Sequence, residues 1–370
     1  MELATLSSKY GDFYSPAFAI RVGADDLIRD LLVAVSQVEA DLVLGAASRF
    51  SFTVTDAYSN DKRAFYTARG RKLLDILNFG AEVDICMGYG DARSMPRIVS
   101  GLVTEITTNY PETGSPELAV AGYDHSFALT IGKSSRTWAK SRDSDAAHEI
   151  ASFHNLDASI EDTKEQHEQI EQNNESDFEF LKKLADRNHF EIFVDASRKL
   201  HFHKPSDKAD AVVRLAWGEG LLSFKPEANL AGQITKVEVR GWNPKTKETI
   251  LGTATAGEES GLDGKSKSAG NRLKLFVKDP AKQPVLRLRQ PVFTQAEANA
   301  RARAALNERA TQFLTGDGES IGLPEIRPDR NVDLSNLGAQ FSRTYYVQQS
   351  THKVDGNGYR TRFKVKETAL

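Results

Sequence analysis

Two stretches of this 370-residue chain read as copies of one another. The first runs Ala81–Tyr89, Arg97–Thr108 and, after a Pro/Gly turn, Pro116–Asp124. The second runs Arg330–Gly338, Phe341–His352 and, after a Gly-rich turn, Tyr359–Glu367. Each has the pattern strand, short link, strand, hairpin, strand. A duplicated β unit constrains the fold more than any single motif. Each copy must bury the same kind of face, and one polypeptide then presents two similar surfaces.

The length predicts two or three domains, and 40% hydrophobic with 27% charged residues gives each enough to bury a core. The formal net charge is -3 and no long Lys/Arg run occurs, so the electrostatic footprint of a nucleic-acid binder is missing. Cys86 is the single cysteine, which excludes an intrachain disulfide, and its strand-like setting reads as a small core residue. The N-terminus has no basic segment followed by an apolar stretch, and no run reaches the ~18 apolar residues of a membrane helix. The expectation is a soluble protein made in the cytoplasm, without signal peptide or membrane insertion.

Period-two alternation marks strands at Phe18–Val22 and Phe50–Val54, and less cleanly at Leu31–Val35. Leu73–Leu77 reads as a helical turn ended by Gly80. From about Trp138 to Pro205 the period becomes helical. Ala146, Ala147, Ile150, Ala151 and Phe153 share a face after an Asp143 cap. Glu161 to Asn174 reads as a solvated loop. Ser176 with Glu179 forms a capping box before Phe178, Leu181, Leu184 and Ala185. A hairpin follows, with Phe190, Ile192 and Val194 answered by Leu200 and Phe202. The β pattern resumes from Trp217. Residues 253 to 271 are rich in Gly, Ser and Lys and read as a mobile loop. Thr294 with Glu297 opens a helix to about Phe313, with Ala298, Ala302, Ala305, Leu306 and Phe313 as its buried face and Gly316 as its stop.

The pieces Gly80–Ile85, Val99–Ile106, Gly122–Leu129, Glu175–Asp186, Leu200–His203, Gly316–Pro328 and Gly358–Val365, in that order and spacing, resemble the hub proteins of contractile injection systems. That family includes the late control D proteins of bacteriophages, the baseplate hub protein of phage T4 and the hub portion of VgrG in type VI secretion. The resemblance implies a trimer in which each chain gives two similar β-barrel-like domains, so that six surround a channel between a tail tube and a spike. The chain stops at Leu370, just after the second copy, whereas VgrG continues into an oligonucleotide-binding domain and a β-helical spike. The family's spike or lysozyme chemistry is therefore not carried over.

Candidate chemistry resolves to plain readings. His201 and His203 share a strand face and His189 opens the partner strand, but no carboxylate or cysteine stands at zinc-ligand spacing. Asp124-His125-Ser126 places three triad residue types in a row, where adjacent strand residues point to alternate faces instead of converging. Glu161–Glu175 lacks the pattern of a calcium loop, and the glycines at 257 to 270 and at Gly316-Asp317-Gly318 lack a phosphate-loop ending. A polysaccharide-active enzyme would need two converging carboxylates, and no pair can be named. No catalytic, cofactor-binding or metal-binding residue is assigned.

The expected fold is α+β: two similar β-barrel-like tube domains with an inserted small α/β lobe, assembling as a trimeric pseudo-six-fold ring. Its parts are residues 1–128 (first hub domain), 129–215 (lobe) and 216–370 (second hub domain, with the mobile loop at about 253–270). The expected function is a non-enzymatic structural baseplate hub in a phage tail or extracellular contractile particle, adapting a three-fold spike to a six-fold inner tube. The alternative is a cargo-carrying or channel-lining component of the same particle. The expected partners are two further copies, the tail tube protein, a separately encoded spike protein and other baseplate components.

Overall fold

In the computed structural model, which describes residues 1–91, 93–243, 246–260 and 267–370, most of the repeated segments lie in one long, continuous sheet. Its first half comprises β1 (Pro16–Val22), β2 (Ala34–Val43), β3 (Arg49–Thr55), β4 (Glu82–Tyr89), β5 (Arg97–Asn109) and β6 (Glu117–Asp124). They pair in the order β1-β4-β5-β6-β3-β2. Alternation places Phe50, Phe52, Val54, Val83, Ile85, Leu118 and Val120 inside, in one buried cluster.

A separate lobe follows. It comprises β7 (Ser134–Arg142), α1 (Asp143–Phe153), β8 (Asp157–Ile160), β9 (Gln166–Glu175), α2 (Asp177–Asn188), β10 (Glu191–Val194) and β11 (Lys199–His203). Its core runs from Leu129 to Phe202, with Trp138 stacked on Phe180 at 5.1 Å. The Ser176 side chain caps α2 and Glu179 bonds back to the Ser176 backbone, as the capping-box pattern predicts.

The second half of the long sheet is built from β12 (Ala211–Trp217) and β13 (Gly220–Ala228), then β17 (Leu314–Ile321), β18 (Asn331–Ser335), β19 (Arg343–Asp355) and β20 (Gly358–Glu367). These strands close on themselves in the order β12-β13-β17-β20-β19-β18 and back to β12. Closure leaves a barrel interior filled by Val213, Leu215, Phe313, Tyr345, Val347, Phe363 and Val365. Between β13 and β17 the chain makes a smaller sheet of β14 (Lys236–Asn243), β15 (Glu248–Thr255) and β16 (Val285–Arg289). Two helices belong to the same segment, α3 (Ala269–Phe276) and α4 (Gln295–Ala310).

The repeated segments hold the same register in both halves. Val83 faces Gly101 as Val332 faces Tyr345. Val103 faces Gly122 as Val347 faces Val365. The ladder slips once in each copy, between Val103 and Glu105 and between Val347 and Gln349. A second matched irregularity falls between Val35 and Gln37 in β2 and between Leu221 and Ser223 in β13. Bulges are specific features of a strand pair, so shared positions argue for a shared blueprint. The halves differ at one strand: β1 runs antiparallel to β4, whereas β12 runs parallel to β18.

Several local expectations are corrected. Glu161–Asn174 is not a loop: from Gln166 it is β9, paired with β7 along its length, with Ile170 and Gln172 turned inward. The strand is so polar that only one apolar residue, Ile170, marks its inner face. The segment read as mobile is ordered at both ends, since β15 reaches Thr255 and Ser268 caps α3, while residues 261–266 lie outside the described residues. The Thr294 helix ends at Ala310, and its Ala298, Ala302 and Leu306 pack on the small sheet instead of the barrel. Gly316 does not stop that helix. It lies in β17, where the Phe224 ring occupies the space a side chain would fill, as Phe363 does over Gly318. Asp143 is the first residue of α1, and Arg142 holds the cap position.

Candidate functional site

The distinctive site is the seam where the two halves of the sheet meet. β19 is long enough to serve both. Arg343–Tyr346 pair with β18, and Gln349–Val354 pair with β2. On the outer face, Asp41 accepts hydrogen bonds from Gln349 Nε2 (2.8 Å) and Thr351 Oγ1 (2.9 Å). On the inner face, Val38, Ala40 and Leu42 meet Val354, His352 and Ser350, all buried.

His352 is fully enclosed. Its Nε2 donates to the Ile326 carbonyl (3.0 Å), and its Nδ1 accepts from the Tyr359 hydroxyl (2.8 Å). The neutral ring satisfies both partners; burial, with the Arg327 charge adding to it, pulls its pKa down to about 3. An aromatic chain extends the seam. Tyr359 lies 5.7 Å from Tyr89, which meets Phe13 and Tyr10 at 5.2 and 5.4 Å. Tyr89 also donates to the Gly322 carbonyl (2.9 Å). These groups lock the first half to the second from behind.

At the mouth of the seam, where the lobe docks, lies a cavity of about 290 Å³ with a mixed polar and apolar lining. Asp124, Phe193, His201, His203, Arg327 and Asp329 are among its lining residues. Asp124 accepts from the backbone amides of Ser48 and Ser126 (2.9 Å each) and from the Ser126 hydroxyl. Desolvation nonetheless raises its pKa to about 6. His125 points the other way and meets Ser100 Oγ at 3.2 Å. Asp124, His125 and Ser126 therefore do not converge as a relay. Ser126 is held by the carboxylate, and the imidazole lies on another face.

The three histidines also part company. His201 bonds Asp195 (2.9 Å) and stacks on Phe193 at 4.5 Å, and His203 lies 3.6 Å from Asp329. His189 ends α2 in the left-handed conformation, where burial lowers its pKa to about 4. Among the described residues no group of three His, Cys, Asp or Glu is placed to hold a metal ion. Cys86 is buried beside Ala19 and Met95, and burial pushes its thiol up.

Other polar anchors carried no sequence signal. Asp329 takes the Ser206 amide and hydroxyl and the Tyr346 hydroxyl, each at 2.9 Å. Buried Asp143 binds Arg187 and Asn188, and His167 lies between Asp143 and Glu297 of α4. That network ties the lobe to the small α/β segment. No helix among the described residues is long and apolar enough to cross a membrane.

The family model described as the Alg8 N-terminal domain matches residues 36–356, from β2 through the seam to the turn after β19. The chain belongs to the Alg8 N-terminal domain family. No curated protein matches the sequence. Among solved structures, the 43 kDa tail protein of prophage MuSo2 from Shewanella oneidensis superposes with a TM-score of 0.71 at 14% identity, covering 95% of this chain and 98% of that one. A tail protein from Neisseria meningitidis MC58 gives 0.69 at 12% identity, with 96% and 97% covered. The E. coli c3393 protein is described as a type VI secretion system component with structural similarity to the T4 bacteriophage tail proteins gp27 and gp5. It gives 0.56 at 11% identity, with 94% and 76% covered. This member of the Alg8 N-terminal domain family thus has a mostly β fold with a closed six-strand barrel, as phage tail proteins do.

Proposed function

We propose that this chain is the structural hub of a contractile, phage-tail-like particle. Three copies form a ring in which the first unit (about 1–128) and the second (about 216–370) alternate around a lumen. Tail tube protein binds one rim and a separately encoded spike the other. The observation that carries this reading is the shared register of two β units joined edge to edge in a single chain. Two near-equivalent units per chain, three chains per ring, offer six similar faces to one neighbour and a true three-fold to another. The role is architectural, and no residue is assigned to catalysis.

A second feature supports a lumen wall. A cross-strand row runs from Arg49 through Asp41, Thr351, Arg362 and Glu319 to Ser223, crossing six strands of both units. Every member is polar and none is buried. Its charges are mutually neutralised, as between Arg362 and Glu319 (3.3 Å) and between Arg49 and Glu105 (2.9 Å). Such a wall would be wet without strongly attracting either sign of cargo. The test is electron microscopy of the assembled particle. Three chains at the hub level, each contributing both units to one ring, support the reading; six chains, or units outside the ring, refute it.

A further inference from the structure

The seam between β2 and β19 is made once within the chain, but its two halves are present twice. The shared registers identify the second pair. β5 stands in the first unit where β19 stands in the second, and β13 stands in the second where β2 stands in the first. Among the described residues, the outer edge of β5 beyond Val103 pairs with no strand, and neither does the outer edge of β13 beyond Leu221. The chain turns away at the same place in both copies: Gly80 and Ala81 bond to Val103 as Asp329 and Arg330 bond to Val347. In the second unit β2 then takes over the edge. In the first, no described strand does, and only the Tyr58 and Phe65 rings approach its end, at Tyr110.

Burial tells the same story. In the closed seam Val354, His352 and Ser350 are buried against Val38, Ala40 and Leu42. Their counterparts are Ile106 (half-buried) and Thr108 (exposed) on β5 and, just past its end, Tyr110, which packs on the Tyr58 and Phe65 rings at 5.6 and 6.5 Å yet stays 59% exposed. The counterparts on β13 are Phe224 and Pro226 (half-buried) and Ala228 (exposed). Trp217 (60% exposed) stands just before β13. Apolar side chains line up on both open edges at the positions that are covered in the closed seam.

We infer that the open edge of β5 in one copy pairs antiparallel with the open edge of β13 in a second copy, in the register of the internal seam. Tyr110 then faces Phe224, Thr108 faces Pro226 and Ile106 faces Ala228 on the apolar side. Asn109 faces Lys225, Thr107 faces Glu227 and Glu105 faces Asn229 on the polar side. The contact is head-to-tail, so each copy keeps one edge of each kind free for the next. The inference rests on the ring reading above but fixes which surfaces make the ring.

One residue sets this joint apart from the internal one. The Leu44 amide bonds the Gln348 carbonyl, so by alternation Ala40 turns its N–H toward β19. The Asn229 amide bonds the Phe313 carbonyl, so Lys225 and Glu227 face β17 and Pro226 turns its backbone to the open edge. Proline there offers no N–H where Ala40 offers one. The second joint lacks one backbone bond, and the exposed edge is blunted against indiscriminate pairing.

The test is cysteine cross-linking of the full-length chain across a concentration series. Thr107 and Glu227 form a non-hydrogen-bonded pair in the inferred register, where Cβ atoms approach most closely. Thr107→Cys with Glu227→Cys should give covalent oligomers that stop at one closed size, whereas Thr107→Cys with Lys225→Cys, two residues out of register, should not. Pro226→Ala should strengthen self-association by roughly 2- to 10-fold. A discrete oligomer by light scattering without the first cross-link overturns the joint while leaving the ring reading standing. Cross-linked ladders of unlimited length uphold the joint and overturn the closed ring. A chain that stays monomeric throughout, with Pro226→Ala monomeric as well, overturns the joint.

Discussion

Acidification should open the seam through His352, and the effect can be separated from every other titration. The imidazole is fully buried, with Nε2 donating to Ile326 and Nδ1 accepting from Tyr359. Protonation would turn Nδ1 into a donor facing the Tyr359 hydroxyl and leave a charge beneath Arg327. The folded pKa, about 3, lies below the ordinary 6.5, so between those values the unfolded chain binds more protons. The stabilisation is therefore complete above about pH 6.5 and is lost as pH falls toward 3, by roughly 5 kcal/mol over the whole interval and about 3 kcal/mol by pH 4. His352→Gln keeps a donor for Ile326 and an acceptor for Tyr359 but does not titrate. Urea unfolding of both chains from about pH 7 to about pH 4 isolates the difference, because His189, Asp124 and all other groups are common to both. The parental midpoint should fall by about 1–3 M more than that of the variant. Parallel pH profiles would show that His352 is not held neutral by the seam, and the reasoning would fail.

Other outcomes follow from single contacts. Gly252→Ala would set a Cβ 2.7 Å from the Ala298 Cβ and closer still to its carbonyl, so α4 must shift off β15; a cost of about 1–3 kcal/mol should lower the melting temperature by roughly 2–12 °C, and an unchanged value would show that the helix does not rest on that strand. Asp124 titrates in the sense opposite to His352: burial lifts its pKa to about 6, so the stability it contributes is present below about pH 4 and lost as pH rises through 6, and Asp124→Asn should flatten that part of the profile. Asp143→Ala removes the partner of Arg187 and should cost about 3–5 kcal/mol, read as early loss of lobe amide protection in hydrogen exchange; protection equal to the parent would refute it.

The legible part of this chain is the part governed by period two. Both copies of the repeat could be placed residue for residue, because Val83 and Val332, or Val103 and Val347, sit at like positions in like alternations. The capping residues Ser176 and Thr294 were equally local, and both accept the expected amide. What could not be read was membership. β14 alternates as a barrel strand does, with Val237 and Val239 inward, yet it pairs with β15 and β16 in a separate sheet. Alternation states that a face is buried, not against what. β9 escaped for the opposite reason: a strand almost wholly polar carries no period. The seam itself left only a faint trace, since His352, Tyr89 and Asp41 lie far apart in sequence and become partners only through the order of the strands.

In the proposed ring, what the two units share and what they do not share would serve different neighbours. The strands and their bulges are common to both, so a surface built from them repeats six times with small variation. The insertions are not common. The first unit carries residues 56–81 between β3 and β4, with Lys62, Arg63, Arg69 and Lys72 exposed, where the second has only 322–330 between β17 and β18. The second carries the small sheet with α4 between β13 and β17, where the first has a turn of a few residues after β2. Any partner that grips an insertion meets three copies per ring, and any partner that grips the shared strands meets six. Divergence of the loops over a conserved register is thus enough to present two symmetries from one sequence, with no hinge or switch. The inferred second joint fits this division. It reuses the shared strands and differs from the internal seam chiefly at Pro226, where a weaker bond would suffice because closure of the proposed ring would make three such joints at once.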